Sequence, residues 1–79
     1  MSHPPMETLD LTGIPCPQNT ARALMALELL DPGQALELLI DDGEPHANVP
    51  ESLEIEGHTI ALLERQGPGW RIIAARGGE

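Results

Sequence analysis

PQNTARALMALELLDPGQALELLID, residues 17–41, decides the fold, because its apolar period changes once, from helical to extended, at a proline–glycine turn. Pro17 suits a first helical position, and Ala, Leu, Met and Glu dominate the residues that follow, so a helix is expected over 17–30. Thr20, Ala23, Leu24, Leu27 and Leu30 recur at spacings of three and four and form the stripe that should face a core. Arg22, Met25 and Leu29 fall on the other side, a face more apolar than water requires. Leu and Met are also simply good helix formers; the second reading is a partner-docking patch. Pro32 and Gly33 stop the helix. Over 35–41 the pattern alternates, with Leu36, Leu38 and Ile40 on one face of a strand and Ala35, Glu37, Leu39 and Asp41 on the other.

Outward from that stretch, residues 1–6 read as a loose tail and 7–79 as a single domain. ETLDL (7–11) alternates Leu9 and Leu11 with polar neighbours, a short strand, and Gly13 in the following loop is free to take a positive φ. On the other side Pro50 is expected to open a short helix through Glu56, closed by Gly57, with 44–49 as an irregular first turn. HTIALLER (58–65) and WRIIAAR (70–76) read as strands joined across QGPG. The order is β-α-β-α-β-β. Strand–helix–strand units favour parallel pairing and right-handed crossovers, which place both helices on one face of the sheet. The expected fold is therefore an α/β (α+β) two-layer sandwich, with a mixed four-stranded sheet closed by an antiparallel hairpin.

Composition removes several functions. The chain has 79 residues, 41% of them apolar, with no Phe or Tyr and only Trp70 aromatic, so the core must be aliphatic. Thirteen acidic residues face four arginines and no lysine, a formal charge of −9. Such a surface repels phosphate backbones and anionic lipid, so neither nucleic acid nor membrane is an expected partner. One cysteine forms no internal disulfide, the first residues lack a signal-peptide pattern, and no apolar run reaches the ~20 residues of a membrane span, so a cytoplasmic protein is expected. A monomer is expected as well. His3, His46 and His58 have no metal-ligand spacing with Cys16, and no metal site is expected. No CxxC pair, Schiff-base lysine or phosphate loop is present, and a Cys–His hydrolase pairing lacks a visible cleft.

Cys16 is where chemistry remains. Most lone cysteines are small core hydrophobes, but this one sits at a loop-to-helix junction between Pro15 and Pro17. Pro15 and Pro17 each restrict the residue before them and leave the corner little backbone freedom. A helix N-terminus also favours an anion, so the thiol there should ionise more readily than a free one, and the thiolate is the reactive form. The opposing influence is Asp41 and Asp42, which the strand end brings toward the same edge.

LDLTGIPCPQNTARAL followed by DPGQALELLIDD resembles the TusA/SirA-like sulfur-carrier family, whose pattern is D-x-x-G-x-x-C-P-x-P, a helix, a P-G turn and a strand ending in acids. Asp10, Gly13, Cys16, Pro17, Pro32, Gly33, Asp41 and Asp42 match it in register, and Asn19 replaces the second motif proline, giving CPxN. The resemblance implies a sandwich like the C-terminal domain of translation initiation factor three. It implies that Cys16 accepts sulfane sulfur as a transient persulfide, with no other cofactor, from a cysteine desulfurase or rhodanese. Cys16 then passes it to an acceptor protein, as a sulfurtransferase-type carrier rather than a turnover enzyme. Gln18 and Asn19 would shape the helix mouth through their N–H groups, with Asn19 able to cap a helix starting at Thr20. Asp10, Asp41 and Asp42 would be structural or would touch a partner, the two at the strand end reading first as solvated. The alternative is a non-catalytic binding or regulatory domain of the same fold, suggested by Asn19 and by Met25 and Leu29.

Overall fold

The computed structural model describes residues 6–78, so all of the expected tail but Met6 lies outside the described residues. Six elements follow in the expected order: β1 Thr8–Asp10, α1 Gln18–Glu28, β2 Ala35–Asp41, α2 Glu44–Ile55, β3 Thr59–Gln66 and β4 Gly69–Ala75. They form one four-stranded sheet in the order β1-β2-β4-β3, with β1 and β2 parallel and β4 antiparallel to both its neighbours. The final hairpin thus folds back so that β4 enters between β2 and β3, and the β2-α2-β3 crossover spans it.

The core lies between the sheet and the two helices. Leu36, Leu38 and Ile40 of β2 are buried with Ile72 and Ala74 of β4, Ala23 and Leu27 of α1, and Val49 and Leu53 of α2. Each of the Leu, Ile and Val side chains among them contributes about 1.5–3 kcal/mol by leaving water. Leu11 joins them from just beyond β1, its N–H donating to the Leu39 carbonyl at 2.8 Å, so the first strand's influence extends past its three residues. The stripe on α1 differs from expectation at three of its five positions. Leu24 and Leu30 are only partly buried, and Asn19 rather than Thr20 takes the N-terminal core position.

Helix α2 corrects the sequence reading. It begins at Glu44, capped by Gly43 at φ 92° with Pro45 in its first positions, and runs through Pro50 instead of starting there. Pro50 removes one backbone donor from the ladder. The helix persists because Val49 and Leu53, on either side of it, are completely buried. Its end matches the expected glycine stop. The Gly57 N–H reaches the Glu54 carbonyl and the His58 N–H reaches the Leu53 carbonyl, both at 3.0 Å, which is the Schellman arrangement around a left-handed glycine at φ 94°. Helix α1 ends before the expected Leu30, its last turn tightened by the Leu30 N–H donating to the Leu27 carbonyl at 3.0 Å.

On the face of the sheet away from the helices, one polar row crosses all four strands. The Thr8 hydroxyl donates to Glu37 at 2.6 Å, Glu37 pairs with Arg71, and Arg71 pairs with Glu64 at 2.8 Å. The Thr8 hydroxyl and the Arg71 guanidinium hold the Glu37 carboxyl below its usual range.

Candidate functional site

The carboxyl ends of β1 and β2 lie side by side, and both helices start there. Open α/β sheets commonly place ligands outside such strand ends. The loop from β1 to α1 is shaped locally. Asp10 Oδ1 accepts the Thr12 hydroxyl at 2.5 Å and the Thr12 N–H at 3.0 Å, which also lower the Asp10 carboxyl from its usual range. The Ile14 N–H closes on the Leu11 carbonyl at 3.2 Å, with Gly13 at φ 79° as the turn requires. Cys16 comes next, a half-buried free thiol immediately before Pro17, the N-cap residue of α1.

Asn19 does not serve as the expected cap of a helix starting at Thr20. The helix begins at Gln18, and Asn19 is its second residue, 1% exposed. The backbone N–H that a proline would lack donates to the Pro15 carbonyl at 3.0 Å, drawing the chain closed across Cys16. Its side-chain oxygen accepts the Thr20 N–H at 2.6 Å. The Asn19 N–H, one of the two expected to shape the helix mouth, is therefore used within the chain. The Asn19 Nδ2 group is buried without a partner, a condition that costs about 1–3 kcal/mol.

Cys16 opens on a shallow cleft of about 440 Å³ that sequence reasoning did not foresee. One wall is the loop Gly13–Cys16, with Ile14 and Pro15; the other is the β2–α2 junction, with Asp41, Asp42, Glu44 and Pro45. The walls are tied together by the Gly13 N–H, which donates to Asp41 Oδ2 at 2.7 Å. Asp42 is held from behind. Its Oδ1 accepts the Trp70 Nε1–H at 2.8 Å, and its Oδ2 lies 3.4 Å from Arg65. The indole, the Gly43 N–H and Arg65, in that order, hold the Asp42 carboxyl below its usual range. The two aspartates have specific partners, which a merely solvated strand end would not.

Of the residues singled out in the sequence, the structure brings Gly13, Pro15, Cys16, Asp41 and Asp42 into one cleft. Pro17 and Gln18 are exposed at its corner, and Asp10 supports the loop behind it. Arg22, Met25 and Leu29 stand apart on the outer face of α1, where Met25 is 68% and Leu29 87% exposed. Glu44 and Pro45 were missed, because Pro50 was read as the start of α2. An acid–proline pair directly after a glycine is itself a helix-start signal, and it would have placed them at the edge where α1 begins.

The small two-layer sandwich presents one free thiol, Cys16, at a loop-to-helix corner on the rim of a shallow cleft. The family model described as "Sulfurtransferase TusA" matches residues 7–76, and the chain belongs to that family. It is 34% identical over 67 residues to a Thermotoga maritima protein named "Putative sulfur carrier protein", covering 84% of this chain and 85% of that one. It is 31% identical over 65 residues to the Escherichia coli K12 relative of the same name with the suffix YedF, covering 82% and 84%. Among solved structures, the SirA-like protein of Desulfitobacterium hafniense superposes with a TM-score of 0.75 at 29% identity, over 91% of this chain and 99% of that one. Among the described residues, no helix is long and apolar enough to cross a membrane.

Proposed function

We propose that this protein relays sulfane sulfur, carrying it as a persulfide on Cys16 between two other proteins in the cytoplasm. The observation that carries the reading is the placement of Cys16, a half-buried free thiol at the rim of an open cleft in a chain of the TusA family. In the loading step the Cys16 thiolate attacks the outer sulfur of a donor's persulfide, on a cysteine desulfurase or rhodanese. One sulfur–sulfur bond forms, another breaks, and the donor's thiolate leaves with the electron pair. Unloading repeats the exchange, with an acceptor protein's thiolate attacking the terminal sulfur and Cys16 departing as thiolate. Neither step consumes an oxidant or a cofactor, and both need a thiol that a second protein can reach.

The test is loading by a cysteine desulfurase with cysteine and pyridoxal phosphate, read by intact mass. The wild-type chain should gain ~32 Da, one sulfur atom, removable by thiol reductant, and Cys16→Ser should gain nothing while keeping its fold. A known carrier that loads in parallel while this chain does not, with several desulfurases and a rhodanese, would sink the reading. The binding-domain alternative predicts the converse, a Cys16→Ser chain that still engages its partner through the exposed Met25 and Leu29 and retains function.

A further inference from the structure

Trp70 does not line the cleft, yet its side chain reaches the cleft's acidic wall from behind. Its Nε1–H donates to Asp42 at 2.8 Å, and its ring stacks on His46 with centroids 3.8 Å apart and planes 10° from parallel. The Arg65 guanidinium carbon lies 5.1 Å from the ring centroid and its NH1 3.4 Å from Asp42. Asp42 and His46 bracket the three residues between them, so the indole grips the segment carrying Glu44 and Pro45 at both ends. The strand bearing the indole is brought unusually close to β2. A Cβ on Gly69 would lie 2.3 Å from the Ile40 carbonyl oxygen, so only glycine permits the approach that sets Trp70 against Asp42.

We propose that Trp70 is a positioning residue for the Cys16 cleft: through Asp42 and His46 it holds the acidic wall across from the thiol and so sets the field a partner meets there. Without that grip the Asp42 and Glu44 carboxylates spread over many positions in solvent, and their average influence at Cys16 falls with distance and screening, while Asp41 stays tied to the Gly13 N–H. The geometric part stands on the contacts alone. Its use in choosing a sulfur donor or acceptor rests on the carrier reading above.

Thiol reagents of opposite charge test the geometric part without any sulfur chemistry. The full chain is treated at low salt with the cationic trimethylammonium-ethyl and the anionic sulfonatoethyl methanethiosulfonates. Each forms a mixed disulfide with Cys16 and releases methanesulfinate, and the ratio of the two rates is the readout. Trp70→Phe keeps a ring for His46 but loses the Nε1–H, and it leaves the net charge unchanged. Its cation-to-anion ratio should fall about threefold, and that of His46→Ala should fall in the same direction. Circular dichroism confirms folding, and His46→Ala carries the test should Trp70→Phe not fold. A ratio unchanged or raised in the folded variants overturns the proposal. Desulfurase loading of the same proteins separates the two claims. A wild-type chain that takes no sulfur while the ratio still falls defeats the carrier reading and leaves the positioning role. Normal loading with an unmoved ratio does the opposite. Where both hold, Trp70→Phe should raise the KM for the donor protein more than it lowers kcat.

Discussion

Helices α1 and α2 start at the same edge of the sheet and form the two sides of one cleft, but their first turns are secured by different means. The start of α1 relies on backbone restriction: Pro15 and Pro17 flank the thiol, the Asn19 N–H closes on Pro15, and no acidic residue occupies the first turn. The start of α2 relies on side chains reaching from elsewhere, with Trp70 on Asp42 and His46, and Arg65 on Asp42. The contrast suits a carrier. A corner held by its own backbone keeps a reactive atom clear of neighbours, whereas a wall held by distant side chains can be retuned without disturbing that atom.

The heaviest blow to one side alone is Gly69→Ala. The added methyl overlaps a backbone carbonyl oxygen, which cannot swing aside as a side chain would, so β4 must shift away from the end of β2. A loss of about 3 kcal/mol in denaturant unfolding is expected, together with a red-shifted Trp70 fluorescence as the His46 stack separates and the indole meets water. A stability equal to that of wild type would mean that the close approach at Gly69 does not anchor the wall.

Acid probes the same side more gently. Asp10, Glu37 and Asp42 all have carboxyl groups lowered in the folded chain, so each adds stability above its unfolded value near 4, and that contribution disappears as pH falls through the folded value. Relief of repulsion among the other carboxylates opposes this in the total. The difference between wild type and Asp42→Asn isolates it: wild type should be the more stable at pH 7, and the gap should narrow as pH is taken below about 4. A gap that stays constant over that range would remove the indole–carboxylate bond as its source.

The smallest effect falls on the α1 side and has the opposite sign. Asn19→Leu replaces a buried amide that has an unpartnered Nδ2 with an apolar side chain of similar size and keeps the N–H to Pro15. It gives up the bond to the Thr20 N–H, so a net gain of about 1 kcal/mol is expected from equilibrium unfolding. A loss of that size would show that the Thr20 bond outweighs the unpaired donor.

Much of this was legible before any coordinates. The helical stripe and the alternation across residues 17–41 gave α1 and β2, and the acids ending that strand gave one wall of the cleft. Four features were not legible, for different physical reasons. Both Pro45 and Pro50 can start a helix, and only the complete burial of Val49 and Leu53 decides that the chain is helical through the second. The insertion of β4 between β2 and β3 is a matter of tertiary pairing, and so is the bond from Trp70 to Asp42, 28 residues apart. No local pattern announces either. The orphaned Asn19 amide was equally hidden, since the same residue at a helix start normally finds a partner.

The polar row on the open face of the sheet carries a consequence for crowding. Thr8, Glu37, Arg71 and Glu64 use each other's hydrogen-bonding capacity, two carboxylates sharing one guanidinium. Two copies laid face to face would set the surplus acid of one row, two carboxylates to one guanidinium, against the same surplus on the other. At a formal charge of −9 the repulsion extends over the rest of the surface. The row therefore adds a local repulsion between identical faces to the one that the overall charge already supplies.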